Sequence, residues 1–390
     1  MTVYERPLST TEHFFRSRTA IGYYRNFQLV ATYSKKVSIE LLFKALRKTV
    51  IDYHILVCNV QKSGDNCHYV PLKQVLFDDV FEKRDLDVVS QEYMQEVDKI
   101  RFQLYVDQPL FKVYLLGDYK VNLVFEHSIC DGVAGVHVHQ ELLENLAYVE
   151  NNQEEYGRIY GNSGPDAPLW DYQMDKHLVK IGIHLPIDDF LPDYNIDHTD
   201  GDPNHYSKII PAEYPEKWTG RVPSHRDLPV EFFPVNVSPE EVKTILKACK
   251  IKKVSMTSLI LLVHAWVLQP VLGNKSHSTH NVAMNLRRHI PAEVQKDRKI
   301  LGTMAHMGLN HKFAPFEEVT WEMIEQANDR IQQSAANNKV HHMSKAYYDT
   351  QSLVEDNEAF FTKFVGQPRP DAVKLSNVGL VVAKKDDWEI

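Results

Sequence analysis

The order of apolar and polar residues in the first part of the chain predicts alternating strands and helices. Apolar residues at every second position are typical of strands, and apolar residues three or four positions apart are typical of helices that bury one face. The predicted strands lie at residues 27–33, 55–60, 110–116 and 119–127, and a predicted helix at 38–53. Another helix is expected after Ser9 and Glu12, which have the spacing of a capping box. Gly117 and Asp118 join the last two strands in a hairpin.

A segment rich in Asn, Asp, Gly and Pro, from about residue 148 to residue 205, interrupts these patterns, and we interpret it as a crossover linker. Beyond it the same types of element recur in a similar order. The predicted strands there lie at 230–235, 279–287, 301–309 and 378–383, and the predicted helices at 239–249, 257–272 and 316–338. Hairpins are frequent and the sequence has no Gly-x-Gly-x-x-Gly turn. The pattern therefore predicts an α/β fold (α+β, with mixed sheets) of two halves, residues 1–205 and 206–390, rather than one doubly wound sheet.

Six residues at the end of the predicted hairpin, His127-Ser128-Ile129-Cys130-Asp131-Gly132, combine an imidazole with a carboxylate four positions later. An apolar strand precedes them and an amphipathic helix is predicted after them, so the motif lies in a strand-to-helix turn, a common place for catalytic groups. A His-x-x-x-Asp-Gly pattern arises by chance about 0.05 times in a chain of this length and composition. The residues alone leave two interpretations open: a catalytic histidine, or a core histidine beside a helix-capping Asp131.

Two other chemistries for this motif find less support. His127, His137 and His139 could bind a metal ion, but side chains two positions apart on a helix point in divergent directions. Cys130 could act as a thiolate nucleophile, although a small buried cysteine inside a tight turn is the more usual case. The chain has neither a Gly-Lys-Ser/Thr phosphate loop nor a Gly-x-Ser-x-Gly motif. What remains is a general base that takes a proton from a nucleophile brought by the substrate.

Composition narrows the classes of partner and location. With a formal net charge of −8 over 390 residues, the chain is not expected to bind nucleic acid. Its four cysteines lack Cys-x-x-Cys spacing and its N-terminus lacks the apolar core of a signal peptide, so we expect reduced thiols and an intracellular, cytoplasmic location. The longest apolar run, residues 259–268, is too short to span a bilayer and predicts a buried helix. The helix after Ser9 is expected to pack on its own domain, with peripheral membrane contact at the endoplasmic reticulum or lipid droplets as the alternative.

The motif and three other segments resemble one protein family. The segment from Phe125 to Gly132, which continues to His139-Gln140-Glu141-Leu142, resembles the HxxxDG signature of CoA-dependent acyltransferases: chloramphenicol acetyltransferase, plant BAHD enzymes, peptide-synthetase condensation domains and the fungal alcohol O-acetyltransferases. The last group is the most similar. Its patterns resemble Glu12-His13-Phe14-Phe15-Arg16 with the strand that follows, Val282-Ala283-Met284-Asn285-Leu286-Arg287, and Leu375-Ser376-Asn377-Val378-Gly379. The similarity covers about residues 8–382, nearly the whole chain.

The resemblance implies two chloramphenicol-acetyltransferase-like halves with a channel at their interface, which acyl-CoA enters from one side and the acceptor from the other. It implies His127 as the general base. Asp131 becomes a mainly structural residue that pairs with Arg287, with Gly132 in the same turn. A guanidinium and a carboxylate can form a planar bidentate pair, and strand alternation would place Arg287 on a small, polar face. A surface salt bridge at Arg287 is one alternative, and Arg288 as the partner is another.

Ser376 and Asn377 match the family's segment and are candidate donors to the oxyanion or the substrate, although Asn377 could instead cap a turn. The resemblance implies no bound cofactor and no metal, with acetyl-CoA as co-substrate, and we expect a monomer. The expected reaction moves the acetyl group of acetyl-CoA to the hydroxyl of a small or lipophilic alcohol. Two alternatives stay open: N-acetylation of a long-chain or sphingoid-like amine, and a non-catalytic lipid- or CoA-binding protein on the same scaffold.

One departure from the family pattern concerns the end of the sequence. Family members usually continue for several tens of residues past the Ser-Asn-x-Gly segment, whereas this sequence stops at Ile390. We therefore expect either a shortened second half or a fragment, in which a sheet edge is left open.

Overall fold

The computed structural model has a mixed α/β fold in which the strands form several small sheets. The residues that it describes are 4–64, 66–180, 182–190, 216–218, 222, 230–272, 276–292, 305–306, 310–336, 365–367, 369 and 371–390. Over these ranges the predicted fold class of two mixed α/β halves is confirmed.

A four-stranded sheet in the first half and a three-stranded sheet in the second half form the two cores. In chain order the strands are β1 (Arg6–Pro7), β2 (Phe27–Thr32), β3 (Cys58–Ser63), β4 (Asn66–Pro71), β5 (Gln74–Leu76), β6 (Phe81–Arg84), β7 (Phe111–Leu116), β8 (Lys120–Phe125), β9 (Pro168–Asp171), β10 (Ser278–Val282), β11 (Met284–Asn285), β12 (Ala305–His306), β13 (Asn310–Phe313), β14 (Val373–Leu375), β15 (Lys384–Lys385) and β16 (Trp388–Glu389). The first sheet has the order β2-β8-β7-β6, in which β8 is antiparallel to both neighbours. In the second sheet β10 lies between β13 and β14.

Helices cover these sheets, and several of them begin at a residue whose side chain caps the first turn. In chain order they are α1 (Thr10–Ala20), α2 (Ile39–Asp52), α3 (Phe77–Val80), α4 (Gln91–Asp98), α5 (Gly132–Asn151), α6 (Gln153–Tyr160), α7 (Tyr172–Asp175), α8 (Pro239–Lys252), α9 (Met256–Leu272) and α10 (Trp321–Ala336). The predicted capping box of Ser9 and Glu12 is confirmed at the start of α1, and Ser38 caps α2. Each cap supplies acceptors for N–H groups that the first helical turn leaves without an intrahelical partner.

The first half encloses its core between the four-stranded sheet and helices α2 and α5. α2 packs on α5, and residues 121–125 of β8 are all buried. α5 lies so close to β2 that a Cβ atom on Gly135 would be 2.2 Å from Cδ1 of Leu29. Any larger residue at position 135 would require the Leu29 side chain to move, so glycine suits this close approach of α5 to the sheet.

The second half packs α9 and α10 on β10. In the described ranges, a core of seven buried residues lies there: Leu261, Leu262, Ala265, Val282, Phe313, Ile324 and Ala327. The expectation that the helix at 257–272 is buried is wrong for one side of α9, because Trp266, Val267 and Val271 are exposed. Among the described residues, no single helix is long and apolar enough to cross a membrane; α8 and α9, bent by 106°, meet that test only as a pair.

The last hairpin of the chain, β15–β16, packs on α5 in the first half. Trp388 is fully buried there, and its Nε1 atom donates to Oε2 of Glu150 at 2.9 Å. Nζ of Lys35 lies 2.7 Å from the same oxygen and 2.8 Å from Oδ2 of Asp387. These end residues therefore contribute to the core of the first half. The predicted boundary between residues 205 and 206 falls outside the described residues and stays a prediction.

Two predicted strands do not form, because neither segment pairs with another strand. Residues 230–235 and 378–383 are described, and neither segment forms a strand. Phe233, Val235 and Leu380 stand exposed. Alternation creates one apolar face, but a strand forms only where another strand pairs with it.

The crossover linker predicted at 148–205 is wrong over its described part. α5 continues past its start to Asn151, and α6, β9 and α7 follow it. β9 pairs antiparallel with β5. Asp175 binds Arg47 at 2.6 Å in a largely buried pair. The polar composition of this segment thus reflects tertiary contacts of the first half, which a local pattern does not reveal.

Two further predictions hold in type but not in extent. The strand predicted at 55–60 starts at Cys58, after a 3₁₀ turn, and the helix predicted at 316–338 is α10. Of the strand predicted at 301–309, the described residues Ala305–His306 form β12. The strand starts three residues and the helix five residues later than predicted, which is more than the one or two residues expected from fraying ends.

Candidate active site

The turn between β8 and α5 holds the His127 motif in the core of the first half. β8 ends two residues before His127, and the N–H group of Glu126 still donates to the carbonyl of Leu110 at 2.9 Å. Asp131 is the N-cap of α5, where its Oδ1 atom accepts from the N–H group of Ala134 at 2.8 Å. The motif is therefore held by the sheet at one end and by a helix cap at the other.

Aromatic side chains surround the half-buried imidazole of His127. The ring of Phe15 stacks on it, with centroids 3.8 Å apart and planes 5° from parallel. Tyr24 approaches edge-on at 5.4 Å, and Phe27 lies at 4.9 Å. Because Phe15 belongs to α1, this helix forms one wall of the candidate site. The expectation that α1 packs on its own half is confirmed.

Burial keeps the imidazole of His127 neutral. Loss of hydration lowers its pKa to about 4; the charge of Asp131 acts to raise the pKa, and the charge of Arg18 acts to lower it. A neutral imidazole at pH 7 can accept a proton. Burial also lowers the pKa of His54 and of His139 to about 4, so the pKa alone does not distinguish His127. What distinguishes it is its turn, where the two halves meet.

Asp131 uses its two carboxylate oxygens for two structural contacts. Oδ1 caps α5, and Oδ2 accepts from Nη1 of Arg287 at 2.9 Å. Each oxygen has its own partner, in place of the bidentate pair expected from the sequence. Only 8% and 1% of the two side chains is exposed, so the pair is not a surface salt bridge. It joins the two halves beside His127, and removal of one partner from such a buried pair costs about 3–5 kcal/mol.

A short turn, and not a strand, orients Arg287. The strand predicted at 279–287 ends at Asn285, and Leu286–His289 form a 3₁₀ helix. Oδ1 of Asn285 accepts from the N–H group of Arg287 at 3.0 Å and from its Nη1 at 3.2 Å. The expectation that strand alternation places Arg287 is therefore wrong, since the Asn285 cap does so. The competing candidate Arg288 is exposed.

The segment that follows β14 passes over the start of α5. A Cβ atom on Gly132 would lie 3.0 Å from Cγ1 of Val378, so glycine permits this close approach. Ser376 and Asn377 are exposed, and Oδ1 of Asn377 accepts from the N–H group of Gly379 at 2.8 Å. Asn377 thus caps a turn, and a donor role in the reaction stays a prediction for it and for Ser376.

His139 and Cys130, which were candidates for a metal ligand and a thiolate nucleophile, are buried in the core of the first half. His139 contacts the hydroxyl of Tyr33 through Nδ1 and the carbonyl of Leu29 through Nε2, both at 3.0 Å. In the ranges that the structure covers, no group of three or more His, Cys, Asp or Glu side chains is placed to hold a metal ion. Cys130 is buried, and burial raises its pKa well above the ordinary value, which keeps it a thiol.

A hydrogen-bond network that the sequence did not predict lies beside the motif. Glu126 is fully buried; its Oε2 accepts from the N–H group of Ser128 at 2.7 Å and from the Ser128 hydroxyl, and its Oε1 accepts from Oγ1 of Thr19 at 2.6 Å. The carbonyl of Ser128 accepts from the hydroxyl of Tyr69 at 2.8 Å. A charged residue at the end of an apolar strand is the available signal for Glu126. The four-residue spacing of Phe15 and Thr19, which puts both on one face of α1, is the signal for Thr19.

Comparison with known proteins gives a family and a fold. The family described as alcohol acetyltransferase matches residues 8–390. N-acetyltransferase SLI1 of Saccharomyces cerevisiae is 22% identical over 358 residues, which cover 84% of this chain and 75% of that protein. The first condensation domain of the CDA synthetase has a TM-score of 0.62 at 12% identity, over 100% of this chain and 86% of that chain. The SgcC5 protein of Streptomyces globisporus has a TM-score of 0.53 at 14% identity, over 98% and 84%.

Proposed function

The chain belongs to the alcohol acetyltransferase family, and we propose that it moves the acetyl group of acetyl-CoA to the hydroxyl of an alcohol, with His127 as the general base. The family and the condensation-domain fold support acyltransferase activity. The observation that carries the finer proposal is the geometry of the turn. His127 keeps a neutral imidazole in an aromatic setting, while Asp131 is occupied by Arg287 and by the cap of α5. An imidazole in this setting can act as the base without help from that carboxylate.

The proposed reaction needs one proton acceptor and no covalent enzyme intermediate. The imidazole takes the proton of the acceptor hydroxyl while the hydroxyl oxygen attacks the thioester carbonyl. The carbon–sulfur bond then breaks, and the acetyl group remains on the acceptor oxygen as an ester. The proton passes from the imidazolium to the CoA thiolate, which returns His127 to its neutral form. Because a thiolate is a good leaving group, its departure requires little help from an acid.

The tetrahedral intermediate carries negative charge on the former carbonyl oxygen, and such charge requires positioned donors. We propose Ser376 as one donor, because the segment that follows it passes over Gly132 at the start of α5. Asn377 is the other candidate, although the Nδ2 atom of its side chain already donates to Oγ1 of Thr257 at 3.1 Å. The channel between the halves is part of the proposal. Its support is that the Asp131–Arg287 pair brings both halves to the motif.

One observation favours a second class of acceptor. The S. cerevisiae relative carries the name N-acetyltransferase, and the base that serves a hydroxyl can also take a proton from an amine. N-acetylation of a long-chain or sphingoid-like amine is therefore the second candidate. The two reactions share the acetyl donor and the base, and they differ in the bond formed, an ester in one case and an amide in the other.

The test incubates the purified protein with acetyl-CoA and a panel of alcohols, sterols and amines while free thiol is followed. We expect thiol release with at least one acceptor, and a rate lower by about 10²- to 10⁴-fold in His127→Ala. His177→Ala is the matched control, because His177 is exposed in the first half, away from the motif. Mass spectrometry of the product distinguishes an ester from an amide. Equal rates for wild type and His127→Ala with every acceptor would contradict catalysis and favour a non-catalytic lipid- or CoA-binding role.

A further inference from the structure

We propose that Glu126 is a positioning residue for His127, and that it acts through Ser128 on the backbone of the turn and through Thr19 on the ring that covers the imidazole. The inference rests on the proposed function, because it concerns the residue proposed as the general base. It extends that function to a carboxylate outside the HxxxDG motif and to a helix more than 100 residues away in the sequence.

The carboxylate of Glu126 is buried and surrounded by donors. None of its surface is exposed, and it accepts from the N–H and hydroxyl groups of Ser128 and from the hydroxyl of Thr19. Burial raises the pKa of this carboxyl group, while the hydrogen bonds act to lower it. A buried carboxylate is costly unless its oxygens are bonded, and an apolar side chain could fill the same volume without that cost. The hydrogen bonds are therefore what the carboxylate adds at this position.

The backbone is held on both sides of His127, by a main-chain bond before it and by the carboxylate of Glu126 after it. The N–H group of Glu126 is bonded to the carbonyl of Leu110 at 2.9 Å, which ties the residue before His127 to β7 and β8. The side chain of Glu126 bonds the N–H group of Ser128, the residue after His127, at 2.7 Å. Tyr69 then holds the carbonyl of Ser128 at 2.8 Å. With its neighbours fixed, the direction in which the His127 side chain leaves the backbone is also fixed.

Through Thr19, Glu126 fixes the helix that covers the imidazole. Thr19 lies one turn after Phe15 on the same face of α1, so both side chains face the motif. The hydrogen bond from Oγ1 of Thr19, at 2.6 Å, sets the position of this face, and Phe15 stacks on the His127 ring at 3.8 Å. One carboxylate thus orients the backbone of His127 and the ring that sets the imidazole plane. Positioning of this kind matters because a displacement of about 1 Å can cost about 100-fold in rate.

Glu126 and Asp131 hold opposite ends of the turn through contacts with different partners. Asp131 depends on Arg287 from the second half, whereas the bonded partners of Glu126, Ser128 and Thr19, both lie in the first half. The hydrogen bonds of Glu126 should therefore persist when the second half moves. Because of this difference, substitutions can distinguish the effect of the Glu126 contacts from the effect of the Asp131 contacts.

The test compares Thr19→Val, which removes the hydroxyl donor with little change in volume, with Thr19→Ser, which keeps the donor. We expect Thr19→Val and Glu126→Gln to lower kcat about 10- to 100-fold with little change in the KM for acetyl-CoA, and Thr19→Ser to stay close to wild type. The double variant Thr19→Val/Glu126→Gln should be less impaired than the product of the two single effects, because both substitutions alter the contact between Thr19 and Glu126. Asp175→Asn, which alters another buried carboxylate of the first half, should lower the melting temperature without changing kcat per folded molecule.

A second measurement does not depend on turnover. In protein labelled with ¹⁵N-histidine, the ring resonances of His127 are identified by their loss in His127→Ala. We expect them to shift or broaden in Thr19→Val and to stay unchanged in Thr19→Ser. If His127→Ala is inactive while Thr19→Val keeps both wild-type kcat and wild-type His127 resonances, the positioning role is wrong and the proposed function stands. If wild type and His127→Ala turn over equally, the proposed function fails, and unchanged resonances in Thr19→Val would also overturn the positioning role.

Discussion

The described residues of the two halves bury their apolar side chains to different extents. In the first half, one continuous core joins the sheet β2-β8-β7-β6, helices α2 and α5 and the last hairpin, and Trp170 and Trp388 are both fully buried in it. In the second half, the described core holds seven residues. Phe233, Val235 and Leu380 there leave 72%, 82% and 82% of their surface exposed. A segment with few buried apolar contacts opens at lower free energy than a closed core, so the described part of the second half should open more readily than the core of the first half.

The first half supplies most of the residues of the candidate site. His127, Glu126 and the aromatic rings lie in the first half, and the second half reaches the motif through Arg287 and through Val378 beside Gly132. The base is thus held by the closed core. The contact that joins the halves acts on the base indirectly, through Asp131 at the start of α5. A change at this contact should affect both stability and turnover, whereas a change at an exposed position of the second half, away from Arg287 and from residues 376–378, should affect neither strongly.

The largest effect is expected at the contact between the halves. Asp131→Asn keeps an amide oxygen that can cap α5 but removes the charge opposite Arg287. A buried guanidinium without its counter-charge should lower the free energy of unfolding by about 3–5 kcal/mol, and turnover should fall as well. Urea unfolding followed by tryptophan fluorescence measures the first effect, and thiol release per folded molecule measures the second.

Arg287→Met tests the same contact from the other side, with Arg288→Met as its control because Arg288 is exposed. Similar losses of stability in Asp131→Asn and Arg287→Met, with little change in Arg288→Met, are the expected result. An unchanged melting temperature with lost activity in Asp131→Asn would instead make Asp131 a direct participant in the reaction.

A smaller effect should distinguish a fully buried tryptophan of the first-half core from a partly exposed tryptophan of the second half. Trp388→Phe removes part of a fully buried ring and the donor to Glu150, and it should lower the free energy of unfolding by about 1–3 kcal/mol. Trp266→Phe makes the same chemical change in the second half, where 43% of the side chain is exposed, and it should cost less than about 1 kcal/mol. Urea unfolding of both variants gives the comparison. Equal losses would show that the second half is packed as tightly around Trp266 as the first half is around Trp388.

Elements of the first half that depend on local pattern were predictable from the sequence. The helix predicted at 38–53 matches α2 to within one residue at each end, and the predicted hairpin matches β7 and β8. Periodicity and capping residues act within a few positions, so a single sequence reveals them. The His127 motif was found for the same reason, since its six residues are contiguous.

Contacts between distant residues were not predictable in this way. Residues 378–383 alternate as a strand does, but whether they pair depends on the tertiary arrangement. The bond between Thr19 and Glu126 joins residues 107 positions apart, and Trp388 completes a core built mostly from the first half of the chain. Arg287 was identified through the family resemblance, while its orientation depends on a cap from Asn285 that the predicted strand does not contain.

The smallest predicted effect concerns acid, and it arises from buried histidines. His280 and His311 face each other across β10 and β13, and burial is the main cause that lowers the pKa of each to about 4. An unfolded histidine has a pKa of about 6.5, so between pH 6.5 and pH 4 the unfolded chain binds more protons than the folded chain. Stability therefore falls as the pH decreases through this range. At pH 5.5 the loss is about 1 kcal/mol for each such histidine.

Hydrogen exchange at pH 7 and at pH 5.5, corrected for the intrinsic exchange rates, shows where this loss appears. Four histidines carry the same shift in the first half, so the penalty on protonation is larger there than for His280 and His311: His13, His54, His127 and His139. The second half has the smaller described core. We therefore expect β10, β13 and α10 to lose protection before β7 and β8, although the first half carries the larger protonation penalty. Substitution of His280 by Gln, which does not titrate, should reduce that loss in the second half alone. If β7 and β8 lose protection at the same pH as β10, the difference in core size does not translate into a difference in stability between the halves.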